Sequence, residues 1–107
     1  MAIKIKQGDQ YPIPVSLFFN DEIINPEDIS AVEFVIGGYR KLYPGEVTYD
    51  SDENVFIVPL TQEETFSWEA DSSVEFDIRI KFTGGSVVGL PRLINISVID
   101  ASSEEVL

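Results

Sequence analysis

The nine residues Val74-Glu75-Phe76-Asp77-Ile78-Arg79-Ile80-Lys81-Phe82 alternate apolar and charged side chains without exception. Period-two alternation puts one face of a strand in a core and the other in water, so this segment predicts a half-buried strand around which the rest of the chain must pack. Gly84-Gly85 follows and predicts a two-residue hairpin loop, because tight hairpin turns need backbone at φ > 0. The chain then returns as a second apolar arm, which makes Val74–Ile99 a hairpin. A two-residue loop sets Phe82 opposite Val87. Carried on unbroken, that register would turn Ile94, Ile96 and Val98 toward water. One extra residue in the Val88–Arg92 stretch, where Gly89 and Pro91 stand, restores Phe76 opposite Ile94 and Val74 opposite Ile96. A bulge or strand break is therefore expected there.

The same reading supplies the other elements. Ile3–Lys6 predicts a short strand with its isoleucines inward. Tyr11–Phe19 predicts a second strand with Ile13, Val15, Leu17 and Phe19 on one face. Pro12 and Pro14 lack N–H donors on the same lateral side, which calls for an edge position or a switch between sheets. Asn20–Asp28 reads as a polar connection in which Asn25 caps a helical turn begun by Pro26. Ser30–Ile36 is a strand with Val32, Phe34 and Ile36 inward, turned by Gly37-Gly38. Tyr39–Tyr43 and Glu46–Asp50 read as shorter, wetter strands around Pro44-Gly45. Val55–Leu60 is a near-continuous apolar run whose length and β-branching favour a strand. Thr61-Gln62-Glu63-Glu64 fits a capping box and predicts one short helical turn near residues 62–67. Leu60 would be stapled by an apolar fourth helical residue, but Thr65 stands there, so the packing falls to Phe66 and Trp68.

Seven or eight short antiparallel strands with one helical turn predict an all-β fold, an immunoglobulin-like β-sandwich. The 107 residues suit one domain spanning 1–100, with 101–107 as a polar tail.

Charge and composition narrow the chemistry. Nineteen acidic against seven basic residues give a formal charge of −12, which repels phosphate backbones and anionic lipid, so no nucleic acid is expected as a partner. No apolar run approaches the roughly 20 residues of a spanning helix, so no membrane insertion is expected. Histidine and cysteine are absent, which removes the usual general base, the commonest metal ligand and thiolate nucleophiles, and fits assembly in a reducing cytoplasm. A non-enzyme with no cofactor and no metal is the expectation. Asp50-Ser51-Asp52-Glu53-Asn54 opens like a calcium loop, but the loop's glycine position holds Val55 and its terminal glutamate position holds Thr61, so a solvated turn is expected. Trp68, Tyr39, Tyr43 and Tyr49 would either form an aromatic platform for sugar or fill the ends of the core. The Tyr39–Asp50 region, as an open edge, is the expected docking surface, with Tyr39, Tyr43 and Tyr49 as aromatic anchors and Arg40 and Lys41 available to acidic neighbours.

Gly8-Asp9 ahead of a proline-containing strand, the Val32–Ile36 strand, the capped turn Thr61–Thr65, and Glu75–Phe82 running into Thr83-Gly84-Gly85 resemble the N-terminal immunoglobulin-like domain of phage baseplate upper proteins. Small tail-associated proteins of phages and prophages of Gram-positive bacteria are similar. The resemblance implies a structural module of a virion that docks other tail or baseplate proteins, and brings no catalytic residues; the open edge at Tyr39–Asp50 adds a second copy of the chain as a further candidate partner. Trimerisation and receptor-binding organisation belong to an elongated segment of that family and are not carried over. A carbohydrate-binding or adhesin-type module using the surface aromatics is the alternative.

Overall fold

Strand β9 (Ser73–Phe82) is the centre of the larger sheet, and its alternation is realised: Phe76 and Ile80 are buried, while Glu75, Asp77, Arg79 and Lys81 are exposed. The computed structural model describes residues 2–10, 12–90 and 94–99. Before β9 come β1 (Ala2–Lys6), β2 (Pro12–Val15), β3 (Phe18–Phe19), β4 (Glu22–Ile23), a 3-10 turn (Pro26–Asp28), β5 (Ile29–Ile36), β6 (Tyr39–Tyr43), β7 (Thr48–Asp50), β8 (Val55–Pro59) and helix α1 (Gln62–Phe66). After it come β10 (Val87–Gly89) and β11 (Ile94–Ile99). The larger sheet runs β1-β11-β9-β5-β6 with β10 also on β9, the smaller runs β2-β8-β7, and β3 pairs with β4. One core cluster takes Val32, Phe34, Ile36, Phe76 and Ile80 from the larger sheet and Ile13, Val15, Phe56 and Val58 from the smaller. The fold is thus an all-β sandwich.

The register of the central hairpin differs from expectation in its loop and agrees in its far arm. Phe82 N–H donates to Ser86 O at 2.8 Å, Gly85 N–H donates to Phe82 O at 2.9 Å, and Gly85 sits at φ +97°. The loop is therefore the three residues Thr83-Gly84-Gly85, a turn closed by one left-handed glycine. It puts Val87 opposite Lys81, whereas β11 sets Ile94 opposite Phe76 and Ile96 opposite Val74. Extending the β10 register would bring position 92, not 94, to Phe76. Two residues are thus taken up between the ladders rather than one, and the strand breaks after Gly89; positions 91–93 lie outside the described residues, as does the expected tail from Ala101.

Two further differences have local causes. β1 runs parallel to β11, with Ile5 level with Val98, so the strands are not all antiparallel. The expected strand Tyr11–Phe19 is divided: β2 ends at Val15, and Phe19 leaves the core face to lie 38% exposed on β3. The cause is a turn at Asn20 (φ +52°) and Asp21 (φ +63°), which joins β3 to β4 as a tight hairpin of the twist-matched kind. The stretch read as a polar connection is therefore partly a strand. β2 forms an edge of the smaller sheet, where its two prolines cost no ladder bonds. Asn25 caps as expected, its side chain accepting from the Glu27 N–H.

The capping box of α1 is formed in both directions: Glu64 N–H donates to Thr61 Oγ1 at 3.2 Å, and Thr61 N–H donates to Glu64 Oε1 at 2.9 Å. Thr65 is fully buried, and its hydroxyl accepts from Gly8 N–H and donates to Asp9 O, both at 2.9 Å. Where an apolar staple is missing, this polar knot fastens α1 to the turn after β1. Gln62 Nε2 adds a bond to Gly8 O at 3.2 Å. Trp68, just beyond the helix, covers this end of the core at 6% exposure.

Candidate docking surfaces

Period-two parity divides the residues expected to form one docking patch. Tyr39, Lys41 and Tyr43 share the inward side of β6, and Arg40 lies exposed on the outer side, where it pairs with Glu33. Tyr39 packs against Trp68 with ring centroids 6.3 Å apart and bonds Ser67 Oγ through its hydroxyl. Tyr43 and Tyr49 approach Phe56 edge-on from two sheets, at 5.0 and 4.9 Å. All three tyrosine rings are partly buried against the core. Lys41 is 9% exposed, and its Nζ donates to Glu64 Oε2 at 2.6 Å, so its charge is committed to α1.

The backbone edge of β6 is partly closed by its own turn. Leu42 N–H donates to Glu46 Oε1 at 2.8 Å, and Leu42 O accepts from Val47 N–H at 3.1 Å. Both groups of Leu42 therefore point away from β5. By parity the outward pair left on β6 is that of Arg40, too little for an extended partner strand. The Leu42 N–H is also the largest influence on the Glu46 carboxyl, holding it below the ordinary carboxylate range.

Glu64 feels opposed effects. Burial raises its pKa, but the bond from Lys41 and the Thr61 N–H together outweigh that, and the net shift is below the usual 4.5. A carboxyl depressed in the folded state stabilises fully above its unfolded pKa, and that contribution is lost as pH falls through the folded value. Glu64→Gln should therefore cost most stability near neutral pH, and the gap to wild type should narrow below 4.5. Urea melts at about pH 7 and about pH 3.5 check this, and a gap that is constant across them refutes it.

The largest exposed apolar side chains lie elsewhere. Among the described residues Phe18 is 52% exposed, Ile23 49% and Phe19 38%, three side chains together on the β3–β4 hairpin, while Val87, 58% exposed, stands alone on β10. Phe18 stands opposite Ile23. The sequence carries a weak signal in Phe18-Phe19-Asn20-Asp21-Glu22-Ile23, two short arms with Phe18 and Ile23 at their ends around two residues tolerant of positive φ. This hairpin precedes β5, so it stands at the opposite end of that strand from Gly37 and Trp68. Beside it, Asp50 Oδ1 accepts from the N–H groups of Asp52 and Glu53 and so shapes its own turn. Among the described residues no group of three or more acidic side chains converges to hold a metal ion, and no helix is long and apolar enough to cross a membrane.

The chain matches no protein-family model and no curated protein.

Proposed function

We propose that this chain is a non-catalytic docking module that binds other proteins. One contrast carries the reading: the aromatics that would build a sugar platform are packed inward, Trp68 at 6% exposure, while large apolar side chains stand in water on the β3–β4 hairpin. A glycan platform needs exposed ring faces set side by side, whereas Phe18 stands opposite the aliphatic Ile23 and Phe19 leans on Phe82; exposed apolar side chains clustered in this way are what protein interfaces use. The absence of histidine and cysteine from the whole sequence favours binding over catalysis.

An immunoglobulin-like arrangement is part of the proposal. It is supported by the division of consecutive strands between the sheets, β2, β7 and β8 on one and β5, β6 and β9 to β11 on the other. The resemblance to baseplate domains adds the setting: a phage or prophage tail assembly, with tail or baseplate proteins as partners. The experiment is a solution mass measurement of the chain alone and mixed with purified phage tail or baseplate proteins. A complex of fixed stoichiometry is expected. No complex with any of them, together with saturable glycan binding that quenches Trp68 fluorescence, would overturn the reading in favour of a carbohydrate-binding module.

A further inference from the structure

Resting on the docking reading, we propose that the β3–β4 hairpin is the docking element, and that it seats in a protein partner whose receiving surface is apolar at its centre and lined by Lys and Arg. The hairpin is a ridge built in advance of binding. Its base is fixed in the core, where Leu17 and Ile24 are buried and joined by a bond from Ile24 N–H to Leu17 O at 2.9 Å. Its tip is fixed by the positive-φ turn at Asn20 and Asp21. Phe19 is braced on one flank by Phe82, with ring centroids 5.6 Å apart. A docking group that is already ordered loses little entropy on binding.

Clefts run along both flanks. One of about 180 Å³ lies between the hairpin and Asp28 and Phe82. The other, about 310 Å³, lies between Ile23 on one side and Tyr49 of β7 with Ser51 and Asn54 of the β7–β8 turn on the other. A partner that straddles the ridge would therefore cover Phe18 and Ile23 from above and fill a cleft on either side. Aromatic and aliphatic anchors at the centre of a patch, ringed by charge, are the usual layout of an interface.

The rim settles the chemistry of the occupant. Asp21, Glu22, Glu27 and Asp28 are exposed around the hairpin, as are Asp52 and Glu53 on the facing turn. Neither the stretch from Phe18 to Asp28 nor that from Asp50 to Asn54 contains a Lys or Arg. A second copy would bring the same acids face to face, and an anionic membrane would meet the same repulsion. A cationic protein surface is complementary.

The test is an amide-shift titration of the isotope-labelled full chain with a synthetic peptide of alternating Leu and Lys. Two control peptides replace every Lys by Glu or every Leu by Ser. Saturable shifts centred on residues 18–24 are expected. Each control peptide should weaken binding at least about tenfold, as should Phe18→Ser and Ile23→Ser, which change exposed side chains and leave the core resonances in place. Equal affinity for the Ser/Lys peptide, with shifts spread over all acidic surfaces, would overturn the proposal by reducing it to bulk charge. Concentration-dependent dimerisation abolished by Phe18→Ser would overturn it in favour of a second copy. Shifts confined to Tyr39–Asp50, or tail-protein binding that leaves residues 18–24 unmoved, would overturn this assignment while the docking reading stands. Failure of every tail protein to bind, with the peptide still on the hairpin, would do the reverse.

Discussion

Phe34→Ala should destabilise the fold by about 3–5 kcal/mol, the cost of emptying a buried aromatic site that cannot fully collapse. Phe34 is fully buried at the middle of β5. Its ring lies 6.0 Å from Phe56 of the smaller sheet and 6.1 Å from Phe76 of its own, so it joins the two layers of the sandwich. Both neighbours belong to strands held by their own ladders, and neither can move inward without breaking backbone bonds. A domain of this size has about 5–15 kcal/mol in hand, so the loss takes a large share of it. Glu33, next in sequence, points outward to Arg40; Glu33→Ala should stay within about 0.5–1 kcal/mol, as exposed ion pairs do. Urea denaturation followed by the fluorescence of the single tryptophan measures both. A Phe34→Ala loss no larger than that of Glu33→Ala would show that the layers are not joined there.

What was legible in the chain was what a few neighbouring residues decide. The alternation of Val74–Phe82 fixed which side of β9 is buried because a strand has no choice of period. Thr61 and Glu64 announced α1, and Asn25-Pro26 its 3-10 turn, because a cap is a bond across three residues. The prolines of β2 announced an edge because a missing N–H has a direction. Loop lengths were less legible: Gly84-Gly85 offers two positions tolerant of positive φ, and the three-residue loop uses only Gly85. The hairpin at Asn20-Asp21 carried no glycine to mark it. Nothing local places β6 and β7 in different sheets, or shows that Lys41 reaches Glu64 across 23 positions. Those facts depend on how strands distant in sequence stack, and they decide that the tyrosines pack inward and that the exposed anchors are Phe18 and Ile23. Fold class was thus written in periodicity, while the surface left to bind was written in topology.

Gly37→Ala should cost about 2–5 kcal/mol, from roughly 1–2 for a side chain in left-handed backbone and roughly 1–3 for overpacking. Gly37 turns the chain from β5 to β6 at φ +52°, and the indole of Trp68 lies directly on it. An added Cβ would stand 2.5 Å from Trp68 Cε2 and 2.8 Å from Cζ2, and the ring cannot retreat without losing the bond from its Nε1–H to Gly37 O at 3.1 Å. Gly38 separates the two contributions. It also has positive φ, at +91°, but a Cβ there meets nothing within 4 Å, so Gly38→Ala should show the backbone strain alone. The steric part should also depend on the indole itself. In a Trp68→Phe background the smaller ring makes room, and the Gly37→Ala cost should fall by about 0.5–3 kcal/mol, the range seen for residues in direct contact. Denaturation followed by circular dichroism, which needs no tryptophan, closes that cycle. Equal Gly37→Ala losses with Trp and with Phe at position 68 would mean that the turn's conformation, and not the seat of the indole, is what requires glycine there.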